Sequence, residues 1–180
     1  MTAPNRNSAS LPNAGMKMSG PARAKMRSTE KVMLRYYNDM GGNKGNCTWG
    51  IGFYAHRGVC SEEELARVVD PASVDIEYGR RVAEAERQVK SKVAVPLSQE
   101  QFDALCSLTY NAGASNSKDV YRYVNQSDFT GAAAEISKMV KVRMKVKGKN
   151  KLVLAPGLIK RREEEAAPFI VNTTGSAAGK

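Results

Sequence analysis

Glu30, Asp39 and Thr48 are the residues of this chain whose types and spacing could do chemistry. The stretch EKVMLRYYNDMGGNKGNCTWGIGFYAH, from Glu30 to His56, sets an acid near a helix-like end, a second acid before a glycine-rich bend, and a hydroxyl beyond it. Two carboxylates around one groove are what cleavage of a glycosidic bond by water requires. One must hold a proton for the leaving oxygen; the other, ionised, activates water or stabilises the positive charge growing on the sugar. The buried member of such a pair would keep its proton, and the more solvated one, Asp39, its charge. Thr48 would help to hold the water. Acids at this spacing occur by chance in most chains, so the pattern alone is a weak signal.

Those residues need elements to carry them. The segment SGPARAKMRSTE reads as a short helix, capped by Ser19 or Gly20 with Pro21 in its first turn, and Glu30 falls at or just beyond its end. From Val32 to about Cys60 the helical period disappears. Two aromatic and apolar runs flank MGGNKGN, where Gly41, Gly42 and Gly45 supply the freedom of a turn, so a small antiparallel hairpin or three-stranded sheet is expected. Beyond residue 60 the chain turns helical. SEEELARVV opens on a serine cap, and Val74, Tyr78, Val82, Ala85 and Val89 share one face of a long amphipathic helix. Ser98 and Gln101 form a capping box for the next helix, Phe102, Leu105, Leu108 and Thr109 recur along its inner face, and Gly113 stops it. Shorter helices are expected over 117–125, 127–139 and 157–170. Between the last two, KMVKVRMKVKGKNK alternates cation and apolar residue without an acid, which predicts a basic hairpin over about 140–155.

Composition bounds the rest. At 180 residues and 42% hydrophobic, the chain can build one domain with a real core. No run is long and apolar enough for a membrane span, and the N-terminal residues lack the apolar core of a secretory signal. Residues 1–18 and 172–180 read as flexible tails around a domain at 19–171. The formal net charge of +10 steers the protein toward anionic partners. The basic hairpin could be a solvated strand pair or a grip on an anionic cell-envelope polymer; it lacks the aromatic residues that stack bases, so nucleic acid is not expected. Three cysteines argue against a disulfide framework. Cys47 and Cys60 could pair in an oxidising compartment, with free thiols the default, and Cys106 reads as a buried apolar residue. Cys47, His56 and Cys60 match no common zinc spacing, so no metal is expected. His56, the single histidine, reads as a structural hydrogen-bond or ion-pair partner.

The order of these blocks resembles the phage-type lysozymes, glycoside hydrolase family 24. The active-site segment of that family is similar to Glu30 … Tyr37-Asn38-Asp39 … Gly42 … Thr48-Trp49-Gly50-Ile51-Gly52 … His56. Its long central helix resembles PLSQEQFDALCSLTYNAGAS, and its closing helix resembles PGLIKRREEEAAPF. The chain departs from the pattern at Lys31, where the family usually has glycine, in a longer Asp39-to-Thr48 separation, and in FYA, which displaces His56.

The resemblance implies an α+β, lysozyme-like fold, with a small antiparallel β-lobe at about 30–60, a helical lobe at about 61–171, and the active-site cleft between them. It implies a cofactor-free, metal-free muramidase that cleaves the β-1,4 bond between N-acetylmuramic acid and N-acetylglucosamine of peptidoglycan glycan strands. Glu30 would be the general acid, Asp39 the second carboxylate, and Thr48 a water-positioning hydroxyl. Tyr110 would line the saccharide groove. One of Arg161 and Arg162, otherwise read as i,i+4 ion-pair residues, would point inward toward Glu30. A monomeric phage endolysin, or an antibacterial effector acting in the periplasm or cell wall after release or delivery from the cytoplasm, fits these features. A lytic transglycosylase and a non-catalytic wall- or polyanion-binding module on the same fold are the alternatives.

Overall fold

The computed structural model of the chain describes residues 11–146 and 149–170, and these fold as α+β in two compact units. One is Gly20–Ala83; the other joins the residues up to Ser19 with those from Glu84 onward. The tail expectations for residues 1–10 and 171–180 lie outside the described residues.

The smaller unit contains α1 (Gly20–Ser28), β1 (Met33–Asn38), β2 (Cys47–Gly50), β3 (Phe53–His56), α2 (Glu62–Ala66) and the first part of α3 (Pro71–Lys92). It therefore extends to Ala83, past residue 60, near which the helical period returns. The strands form one antiparallel sheet in the order β1-β2-β3, pairing Tyr37 with Thr48 and Thr48 with Tyr54. Gly50 shows why the sheet can settle onto α3. Its φ is +62°, and an added Cβ would come within 2.8 Å of the Phe53 ring and 3.5 Å of a Val74 methyl. Around that contact Met26, Ile51, Phe53, Val74, Tyr78 and Val82 are buried. Each large apolar side chain so placed contributes about 1.5–3 kcal/mol relative to exposure. Helix α1 is fixed on α3 by the Tyr78 hydroxyl, which donates to the Arg23 carbonyl at 2.8 Å, and by Arg27, 3.0 Å from Asp75.

Cys47 and Cys60 form a disulfide, against the expectation of free thiols. The reason is the path of the chain. The Cys47 N–H donates to the Gly58 carbonyl at 2.7 Å and the Cys60 N–H to the Asn38 side chain at 2.8 Å, so the segment after β3 is drawn against the start of β2. The bond closes a loop of sequence separation 13, worth about 3 kcal/mol by the loop-entropy argument.

The larger unit contains the rest of α3, then α4 (Gln99–Ala112), α5 (Lys118–Asn125), α6 (Phe129–Lys138), β4 (Lys141–Val146), β5 (Lys149–Leu154), α7 (Pro156–Ala166) and a 3-10 turn over Ala167–Phe169. Ser98 and Gln101 make both hydrogen bonds of the capping box, and Gly113 ends α4 at φ +83°. Phe102, Leu105, Leu108, Val120, Val124 and Ile136 are fully enclosed. Strands β4 and β5 pair from Lys141 with Leu154 to Val146 with Lys149, the hairpin that the alternation predicts. Its apolar positions Val142, Leu152 and Leu154 remain exposed. Residues 11–18 depart from the tail reading. Asn13 is buried; its amide nitrogen donates to the carbonyl of Val95 at 2.9 Å and its oxygen accepts from the Leu97 N–H at 3.1 Å. One enclosed asparagine serves the irregular backbone between α3 and α4, which composition cannot show. Among the described residues no helix is long and apolar enough to cross a membrane.

Candidate active site

Glu30, Asp39 and Thr48 all belong to the smaller unit. Glu30 stands two residues past the end of α1, half-buried, its N–H closing a last turn on the Arg27 carbonyl at 3.3 Å. That turn is tightened by Ser28 and Thr29, whose hydroxyls donate back to the carbonyls of Lys25 and Met26 at 2.8 Å. The acid is thus carried on a braced helix exit.

Asp39 directly follows β1 and is exposed. Its carboxylate accepts the Asn46 N–H on Oδ1 at 2.8 Å and the Asn46 side-chain amide on Oδ2 at 3.4 Å. The Asp39 N–H in turn donates to the Asn46 carbonyl at 3.1 Å, so the ends of the glycine-rich loop lock together. Thr48, only 4% exposed, donates its hydroxyl to the same carbonyl at 3.3 Å.

Tyr37 connects these groups. It lies opposite Thr48 in the β1–β2 register, and residues directly opposed across a ladder present their side chains on the same face. Burial raises the pKa of its phenol, and the carboxylates of Asp39 and Glu30 raise it further. Both acids therefore act electrostatically on one hydroxyl, beside the threonine. Residue types alone gave Tyr37 no role of its own, although it stands in the tyrosine-x-aspartate signature.

The remaining residues singled out from the sequence have other surroundings. Tyr110 is half-buried near the end of α4, in the larger unit. His56 Nε2 is 2.9 Å from Glu64 and its Nδ1 is 3.2 Å from the Arg57 carbonyl. Two acceptors facing the two ring nitrogens favour the imidazolium, and the carbonyl and Glu64 together raise its pKa. The sulfurs of Cys47 and Cys60, joined to each other, offer no thiolates to a metal. Phe53 occupies the region where FYA interrupts the signature; it is enclosed, with the Arg81 guanidinium 4.6 Å from its ring centroid.

Arg162 is buried at 2% exposure and ion-paired to Glu165, while its other nitrogens donate to the Met139 carbonyl at 3.0 Å and the Asn111 side chain at 2.5 Å. Ser107 donates to the same Glu165 at 2.6 Å. Burial raises the Glu165 pKa and Arg162 opposes it. The exposed i,i+4 reading of this arginine is thus replaced by a buried i,i+3 pair.

The family model described as phage lysozyme matches residues 27–165. The endolysin of Acyrthosiphon pisum secondary endosymbiont phage 1 is 30% identical over 151 residues, covering 80% of this chain and 98% of that protein. Among solved structures, the endolysin from Escherichia coli O157:H7 phage FAHEc1 superposes with a TM-score of 0.68 at 26% identity, covering 92% of this chain and 98% of that one. The muramidase domain of SpmX from Asticaccaulis excentricus gives 0.64 at 26% identity, covering 86% and 98% respectively.

Proposed function

The chain belongs to the phage lysozyme family, and from that premise we propose that Glu30, Asp39 and Thr48 carry out its chemistry. The fold is lysozyme-like and the protein is a peptidoglycan hydrolase, a glycosidase of the muramidase type. Glu30 gives its proton to the glycosidic oxygen between N-acetylmuramic acid and N-acetylglucosamine. Asp39 receives a proton from the attacking water, and Thr48 fixes that water's second hydrogen. Tyr110 contacts the saccharide. The observation that carries the assignment is the convergence on Tyr37, whose hydroxyl feels both acids while its ladder partner is Thr48. General acid catalysis contributes roughly 10²–10⁴-fold, which is the loss expected for Glu30→Gln.

The protein acts on the cell wall after release or delivery from the cytoplasm, as a monomer, in the role of an endolysin or a lytic effector. The hairpin Lys141–Leu154, with Lys141, Lys149 and Lys151 exposed, adds affinity for anionic envelope polymer. Reducing-end release from purified peptidoglycan, wild type beside Glu30→Gln, tests the central claim. Activity in the wild type that disappears in the variant supports it. Equal activity removes Glu30 from the mechanism, and binding without release in both makes the protein a wall-binding module.

A further inference from the structure

We infer that Asn46 is the positioning residue that sets Asp39 and Thr48 for one water; the inference rests on the roles proposed for those two residues. Asn46 lies in the longer bend that separates this chain from the usual signature. Every polar group it owns is used. Its N–H and its side-chain amide hold the two oxygens of Asp39, at 2.8 and 3.4 Å. Its carbonyl accepts from the Asp39 N–H at 3.1 Å and from the Thr48 hydroxyl at 3.3 Å. Its side-chain oxygen accepts the N–H of Gly58 at 3.3 Å, and the carbonyl of that same glycine receives the Cys47 N–H.

The consequence is chemical. A threonine whose proton is committed to a carbonyl presents only lone pairs, so Thr48 can accept a hydrogen and not compete to donate one. An Asp39 with one hydrogen bond on each oxygen has its plane fixed and a lone pair left on each. A water donating to both groups keeps its own lone pair for the anomeric carbon. No bond to Asn46 forms or breaks, and the water's proton passes to Asp39. Gly45 shows how closely the loop is fitted. Its φ is +91°, and a Cβ there would overlap Asp39 Oδ1 and lie 2.9 Å from the Met40 nitrogen. The loop therefore closes on the carboxylate with no space for a side chain.

The test compares Asn46→Asp with Asn46→Ala, Asp39→Asn and wild type on purified peptidoglycan. Asn46→Asp is isosteric and keeps the acceptor for Gly58, but replaces the donor facing Asp39 with an oxygen. A positioning role predicts that it lowers kcat about 10- to 100-fold with KM within about twofold. The loss should be at least as large as for Asn46→Ala. A role limited to bracing Gly58 predicts instead that Asn46→Asp works and Asn46→Ala does not, and that result overturns the inference. A second measurement needs no Asn46 variant to fold. In wild type the Asn46 side-chain ¹⁵N amide resonances should follow the titration of Asp39 and stop doing so in Asp39→Asn. That control separates the response to Asp39 from any response to Tyr37, Glu30 or His56. Resonances that do not move with Asp39 overturn the inference. If Asp39→Asn itself retains the wild-type rate, the role of Asp39 falls and the inference with it; if Asp39→Asn is inactive while Asn46→Asp has full kcat, only the inference falls.

Discussion

The two units of this molecule secure their important side chains by different means. In Gly20–Ala83, the acids and the threonine are held by hydrogen bonds to backbone, by one asparagine and by a disulfide, over a small apolar cluster around Phe53 and Val74. In the larger unit, Phe102, Leu105, Leu108, Val120 and Ile136 are fully enclosed, and so is the ion pair of Arg162 with Glu165. Directional bonds fix orientation to a fraction of an ångström, and the roles proposed for Asp39 and Thr48 require that. Apolar packing is non-directional and scales with area, so it suits the enclosed helix faces of the larger unit. The difference predicts that damage to the larger unit is read mainly in stability, and damage to the smaller one mainly in rate.

The largest expected stability effect sharpens this contrast in the larger unit. Arg162→Ala leaves Glu165 enclosed without its cation and should cost about 3–5 kcal/mol in urea unfolding. A loss below about 1 kcal/mol would mean that water relieves the carboxylate, and the unit is looser than its packing implies. Next comes the disulfide. Cys47→Ala with Cys60→Ala should cost about 3 kcal/mol and also slow peptidoglycan cleavage, while far-UV circular dichroism keeps the helical signal. A double variant of undiminished kcat would break the comparison, because the smaller unit would then orient Thr48 without the cross-link beside it. The smallest effect is electrostatic. Arg80 and Arg81 hold Glu77 down at about 2, from 4.5. A depressed carboxylate contributes stability above its unfolded value and loses it as the pH falls through the folded one. Wild type should therefore exceed Glu77→Gln above about pH 5 by less than about 1 kcal/mol, since Arg80 is well solvated, and the gap should close toward pH 2. Thermal melts across that range check it.

Much of this plan is legible in the sequence. The helices of the larger unit follow from caps and period, because Ser98, Gln101 and Gly113 act through neighbours a few residues away and the buried face of α3 repeats regularly. The placement of Glu30 beyond a short helix, and of Asp39 and Thr48 on either side of a glycine bend, follows from local signals as well. Other features depend on residues brought together only by the fold. Cys47 pairs with Cys60 because β3 returns the chain past β2. Arg162 sits among glutamates that would suit a solvated helix, and only the enclosing α4 and Met139 carbonyl turn it into a buried ion. Asn46 reads as one more turn former in MGGNKGN, since nothing local distinguishes an asparagine that bends the chain from one that grips a carboxylate.

The hairpin Lys141–Leu154 has a further consequence at its root. There Ala155 donates its N–H to the Val140 carbonyl at 2.9 Å, so the chain leaves α6 and comes back to α7 at almost the same point. An excursion whose two ends already touch can be lengthened, exchanged or excised without asking its flanking helices to move. That makes this position a natural graft point, where a lineage can trade one surface appendage for another while the register of the surrounding helices is inherited unchanged.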